Sequence, residues 1–156
     1  AGEALAIYSS VRALSAHRPG DRPMALDFRT IGLTALIETG GRVVVNPGTD
    51  AVLLPRPAVA ALAQGDQWLP AWRDVALRDL LFDEANAVCS AITDLSITYA
   101  GGGLTRVIVS VERSCFTGAA NASAMKQSLT QALSHVGANR RLIASADRVE
   151  IAPILV

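Results

Sequence analysis

The chain has 156 residues and a mass of 16.3 kDa, enough for one domain or two small ones with an apolar core. Fourteen basic and fourteen acidic residues give a formal net charge of zero. Nucleic-acid binders and polybasic membrane anchors both need concentrated positive charge, so this balance argues against both classes.

The sequence also argues against membrane insertion and export. The longest stretch without Asp, Glu, Lys or Arg is Gln127–Asn139, which has 13 residues, whereas a spanning helix needs about 20. The N-terminus lacks the basic and apolar segments of a signal peptide. Cys89 and Cys115 form no Cys-x-x-Cys pair, and we expect each to be a small buried apolar residue. We therefore expect a cytoplasmic protein with no metal and no other cofactor.

The first half of the sequence alternates between strand and helix signals. The β-branched run RVVV, followed by the turn residues Asn46-Pro47-Gly48-Thr49-Asp50, predicts a hairpin. The predicted elements are a strand over Ala4–Ser9, a helix over Val11–His17, a strand over Pro23–Leu26, a helix from Asp27 or Thr30 to Gly40-Gly41, strands over Arg42–Val45 and Ala51–Leu54, and a helix from Pro57 to Gly65.

The second half has longer elements. Gly101-Gly102-Gly103 between two β-rich runs predicts a second hairpin. Met125, Leu129 and Leu133 repeat at helical spacing. The predicted elements are a helix from Asp74 to Ile92, strands over Leu95–Ala100 and Leu104–Val111, a loop over Ser114–Ser123, a helix over Ala122–Val136, and a final strand over Val149–Ile154 in which Pro153 favours an edge position.

These elements predict a mixed α/β (α+β) fold in two small halves, with the order βαβαββα and then αββαβ and with helices covering the sheets. The predicted division is a first domain over residues 1–66, a tryptophan-containing linker over residues 67–74, and a second domain over residues 75–156. The two halves could equally form one continuous structure.

No residue pattern of a known catalytic or metal-binding class is present. We expect His17 and His135 to be local caps or solvated side chains, and Arg140-Arg141 to cap the end of a helix. The sequence therefore predicts no catalytic residue and no metal ligand.

Two short segments are candidate binding sites. The hairpin tip contains Asn46 and Asp50, and loops held between strands often carry function. Trp68 and Trp72 flank Pro70, where they could anchor a partner or pack within the protein.

The segments IYSSVRAL, HRPGDRP, RVVVNPG and AVLLPRPAVAALAQG resemble, over residues 4–66, the N-terminal domain of the SseB family, named after enhanced serine sensitivity. Residues 75–154, with LTRVIVSV and VEIAPI, are similar to the C-terminal domain that often follows it. The resemblance implies a cytosolic bacterial protein. The family has no established catalytic residues, so no position inherits a role.

Two functions remain open at this point. The first is a non-catalytic interaction or regulatory module that binds a protein partner or a second copy of itself, and not nucleic acid or a membrane. The alternative is a small-ligand-binding protein or enzyme whose site assembles dispersed residues such as Arg42, Arg106, His17 or His135.

Overall fold

The computed structural model describes residues 3–117 and 119–156. The chain divides into two compact units, Ala1–Trp68 and Leu69–Val156. The boundary falls within the segment 67–74 that the sequence suggests as a linker.

The first unit is a three-stranded sheet with three helices. Its central strand pairs in parallel with the strand before it and antiparallel with the strand after it. The elements are β1 (Leu5–Ile7), α1 (Val11–His17), α2 (Phe28–Glu38), β2 (Val43–Val45), β3 (Val52–Leu54) and α3 (Arg56–Gln64).

Local sequence explains where these helices begin and end. Ser10 caps α1 by accepting a hydrogen bond from the Ala13 backbone N–H. Asp27 caps α2 in the same way, accepting from the Thr30 N–H at 2.9 Å. Gly65 ends α3 in the left-handed conformation, with φ of 80°.

The second unit is also a three-stranded sheet, and its pairing pattern is that of the first unit in reverse chain order. The central strand is antiparallel to the strand before it and parallel to the strand after it. The elements are a 3₁₀ turn (Ala71–Arg73), α4 (Val75–Val88), β4 (Ile92–Tyr99), β5 (Leu104–Val111), a second 3₁₀ turn (Arg113–Phe116), α5 (Ala119–Ala138), α6 (Arg140–Ser145) and β6 (Arg148–Leu155).

The core of the second unit lies between one face of this sheet and its helices. Alternate residues of β5 are buried, and its other residues are half-buried, because successive side chains point to opposite faces. Leu77 and Leu81 of α4, together with Ala132 and Val136 of α5, belong to the same apolar core.

The structure confirms the mixed α/β class and both predicted hairpins. It overturns the predicted strand over Pro23–Leu26, a segment that has no regular secondary structure and joins no sheet. Pro23 cannot donate a backbone hydrogen bond, and β1 pairs directly with β2. The observed order is therefore βααββα followed by αββααβ.

Two predictions in the second half were wrong in extent, and a third was wrong in kind. The helix from Asp74 ends at Val88, because Ile92 pairs with Val111 at the start of β4. Within the predicted loop over Ser114–Ser123, the structure has a 3₁₀ turn and the first residues of α5.

The third concerns Arg140-Arg141, which does not cap a helix end. These residues begin α6, whose N-cap Asn139 accepts backbone hydrogen bonds from Arg141 and Leu142. The capping asparagine starts a separate short helix, α6, which the sequence analysis did not predict.

Candidate functional site

Helix α2 is apolar on both of its faces. The inner face carries Ala35, which is fully buried, with Phe28 and Ile31 packed against the same small core. The outer face carries Leu33, Leu36 and Ile37, which are 53%, 48% and 86% exposed. Arg29, Thr30 and Glu38 are also exposed on this helix. The fold of the first unit therefore leaves three large apolar side chains of α2 in solvent.

The inner face of α2 is held tightly against α3. A Cβ atom added at Gly32 would lie 2.6 Å from the Cβ of Ala63. Only glycine permits this approach of the two helices. The orientation of α2 is thereby fixed, and Leu33, Leu36 and Ile37 point away from the core of the unit.

A further exposed apolar residue lies just before α2. Leu26 immediately precedes the N-cap Asp27, whose backbone is extended, and it is 46% exposed. Within the helix, Leu33 and Ile37 are four residues apart and share one side. We call Leu26, Leu33, Leu36 and Ile37 the α2 outer face.

The hairpin tip is tied to the end of β1. The Asn46 side-chain oxygen accepts a hydrogen bond from the Ser9 backbone N–H at 2.8 Å, and its amide donates to Ser9 Oγ at 2.9 Å. Asn46 has a positive φ of 52°, which asparagine tolerates better than most residues. Asp50 is exposed at the other end of the tip. Asn46 thus has a structural task, and Asp50 lies in solvent.

His17 lies beside this tip. Its Nδ1 is 2.9 Å from the Tyr8 hydroxyl oxygen, and a Cβ added at Gly48 would lie 2.5 Å from its Cδ2. Gly48 therefore allows the hairpin to approach the imidazole closely. This arrangement packs the end of α1 against the sheet.

A groove lies beside β1. It has a volume of about 390 Å³, and its lining includes Ser9, Ser10 and Leu14 together with the segment 21–25. The volume is within the range of small-molecule sites, and the lining is part apolar and part polar.

The two tryptophans lie in different units. Trp68, the last residue of the first unit, is half-buried. Trp72 is also half-buried and packs against the core of the second unit, with its ring centroid 4.7 Å from that of Tyr99. Trp72 therefore makes a contact within its own unit.

The structure does not assemble the four dispersed residues into one site. Arg42 and His17 belong to the first unit, at opposite ends of its parallel strands. In the second unit, Arg106 pairs with Glu150 at 2.9 Å, whereas His135 is exposed on α5. Among residues 3–117 and 119–156, no three His, Cys, Asp or Glu side chains converge as a metal site would require.

Residues 1–61 match the family model described as the SseB protein N-terminal domain. This part of the chain is similar to that domain. The match includes β1 to β3, the two helices between β1 and β2, and most of α3, so the α2 outer face lies within the matched region. The similarity of residues 75–154 to the C-terminal domain of the family stays a prediction, because the matched region ends at residue 61.

No curated protein and no solved structure shows significant similarity to the chain. In the part of the chain that the structure describes, no helix combines the length and apolar character of a membrane span.

The α2 outer face was not among the residues proposed from the sequence. The sequence nevertheless indicates an apolar exposed side of α2, because Leu33, Leu36 and Ile37 are too widely spread around the helix to share one buried face with Phe28 and Ile31.

Proposed function

We propose that the first unit of this chain is a non-catalytic interaction module and that its contact surface is the α2 outer face. The observation that carries this proposal is the exposure of Ile37 and Leu33 on a helix whose opposite face is already packed. Contiguous exposed apolar side chains are typical of protein–protein contact sites.

The occupant that we propose is a second copy of the same chain. The four side chains that define the α2 outer face are uncharged, the exposed Arg29 is the one charged residue between Leu36 and Leu33 around the helix, and the formal net charge of the chain is zero, so the repulsion between two copies is small. A two-fold axis perpendicular to α2 would place Leu26 of one copy against Ile37 of the other, with both Leu33 side chains near the axis. Each copy contributes the same residues to such a contact, so assembly stops at the dimer.

Sedimentation velocity across a wide range of protein concentration tests the proposal. We expect the wild-type chain to form a dimer as its concentration rises. The change Ile37→Lys should leave a monomer, because it places a charge against the apolar Leu26 at both ends of the contact. Lysine in the last turn of a helix is compatible with the helix dipole, so α2 should still fold.

The matched control is Ile143→Lys. Ile143 is 55% exposed on α6, in the second unit, and its replacement should not affect dimer formation. A wild-type chain that stays monomeric at every concentration would overturn the proposal. Equal association of the wild-type chain and both variants would do the same.

The groove along β1 supports a second candidate function, the binding of a small polar metabolite. Its support is the concave volume together with the polar residues Ser9, Ser10, Asp21 and Arg22 in its lining. A metabolite that raises the melting temperature of the wild-type chain, but not that of Ala25→Trp, would favour this candidate, since the new indole would fill the groove. The absence of any shift across a metabolite library would count against it.

A further inference from the structure

Three of the four sulfur-containing side chains of the protein lie at the same apolar core, in the second unit. The sequence has two cysteines and two methionines. Cys89 Sγ lies 3.7 Å from Met125 Sδ. Met125 and Cys115 in turn line the same cavity, which has a volume of about 410 Å³.

These residues come from three separate elements. Cys89 follows the last residue of α4, Cys115 lies in the 3₁₀ turn after β5, and Met125 lies in α5. All three pack on the same apolar core. Their proximity is a property of the tertiary structure, and neither cysteine is in a disulfide.

Their exposure forms a gradient from core to solvent. Cys89 is 1% exposed, whereas Cys115 and Met125 are half-buried at the wall of the cavity. An ion that enters the cavity would meet Cys115 and Met125 first, and the Met125 thioether lies against the buried thiol. The unbranched methionine side chain can adjust its position without moving the backbone.

The donor set selects the class of metal. Thiolate and thioether are soft ligands that favour monovalent copper. Structural zinc requires four ligands from cysteine, histidine or carboxylates, and the described residues supply no such group here. The other polar groups of the cavity wall are the hydroxyls of Ser114, Thr117 and Ser128, which are hard and weak ligands for a soft ion.

We propose that Cys89, Cys115 and Met125 form a binding site for one Cu(I) ion. Both thiols lose their protons when the metal binds, so two protons are released to solvent for each ion. The proposal is independent of the α2 outer face, which lies in the other unit.

An anaerobic competition titration tests this site. The full chain is titrated with Cu(I) in the presence of the coloured chelator bicinchoninate, and loss of the colour reports transfer of copper to the protein. We expect the wild-type chain to remove one equivalent. Cys115→Ser and Met125→Leu should each weaken binding by at least about tenfold. A thiolate-to-copper absorption band in the near ultraviolet should accompany binding.

The matched control is Met24→Leu, which removes the other methionine, an exposed residue of the first unit. It should bind copper as the wild-type chain does. Cys89 is buried and its replacement can affect folding, so Cys115 and Met125 carry the test, and a circular dichroism spectrum verifies that each variant is folded. Failure of the wild-type chain to compete would overturn the proposal. Unchanged binding by Cys115→Ser or by Met125→Leu would also overturn it.

Discussion

Arg141 Nη2 donates hydrogen bonds to both carboxylate oxygens of Asp74, at 2.9 and 2.7 Å. Asp74 is 8% exposed and is also the N-cap of α4, where it accepts from the Leu77 N–H at 3.0 Å. One carboxylate thus joins the start of α4 to the first turn of α6, two helices that are distant in sequence.

We expect Asp74→Ala to destabilise the second unit by about 2–3 kcal/mol, because it removes both a helix cap and an ion pair. Arg141→Ala should cost about 1 kcal/mol, since half of that side chain is in solvent, which screens the pair. Asp74→Asn should retain the cap. Urea unfolding of the single and double variants measures the coupling, and strictly additive effects would contradict a direct interaction.

Gly32→Ala tests the close approach of α2 and α3. The added methyl group would lie 2.6 Å from Ala63 Cβ, so the helices must separate. The steric cost exceeds the gain in helix propensity, and we expect a net loss of about 1–2 kcal/mol. Urea unfolding, followed through the backbone amide NMR signals of the first unit, measures this loss of stability.

Gly20→Ala is the control for this change, because an added Cβ at Gly20 meets nothing within 4 Å. We expect no loss of stability there. If Gly32→Ala were as stable as Gly20→Ala, the helices would not be packed as described.

The stability of the first unit should depend on the ionisation of Asp27. The Thr30 backbone N–H, and then the Thr30 hydroxyl, hold the pKa of Asp27 below its usual value by donating hydrogen bonds to the carboxylate. The folded state therefore binds the proton less tightly than the unfolded chain. The stabilisation from Asp27 is complete above the pKa that this residue has in the unfolded chain, about 4. It is lost as the pH falls through the lower pKa that Asp27 has in the folded state.

Asp27→Asn should flatten this part of the pH profile, because asparagine can still cap the helix but does not titrate. Thermal melts of both proteins at several acidic pH values measure the difference. Parallel profiles for the two proteins would show that Asp27 is not responsible.

Pro153 should protect the outer edge of β6 from pairing with another strand. The Val156 N–H donates to the Val111 carbonyl, and the Val156 carbonyl accepts from the Arg113 N–H, so Val156 faces β5. Successive residues of β6 direct their backbone N–H and C=O groups alternately toward β5 and away from it. Pro153, three residues before Val156, therefore lies with its backbone directed away from β5, and it has no N–H to offer to another strand. Pro153→Thr adds a donor to this edge, and we expect faster aggregation, measured by light scattering.

This measurement is best made in the Ile37→Lys background, which removes the proposed α2 contact. Val149→Thr is the control, since the Val149 backbone also faces outward and already carries an N–H. Monomer stability should change by less than about 1 kcal/mol in Pro153→Thr. Identical aggregation of the two threonine variants would argue against a role for the proline.

The sequence by itself determined most of the local structure. Asp27, Gly65 and Asp74 mark helix boundaries through hydrogen bonds and backbone conformations that involve only neighbouring residues. The turns at Asn46–Asp50 and Gly101–Gly103 specify both hairpins for the same reason. The mixed α/β class and the similarity of the first 61 residues to SseB follow from these local signals.

The tertiary structure decided what distant residues do together. Pro23–Leu26 has the composition of a strand but joins no sheet, because β1 pairs with β2 instead. The apolar residues of α2 could be divided into packed and exposed sets only when α3 was in place against Gly32. The convergence of Cys89, Cys115 and Met125 likewise depends on how three elements pack on one core, and no periodicity within a single element encodes it.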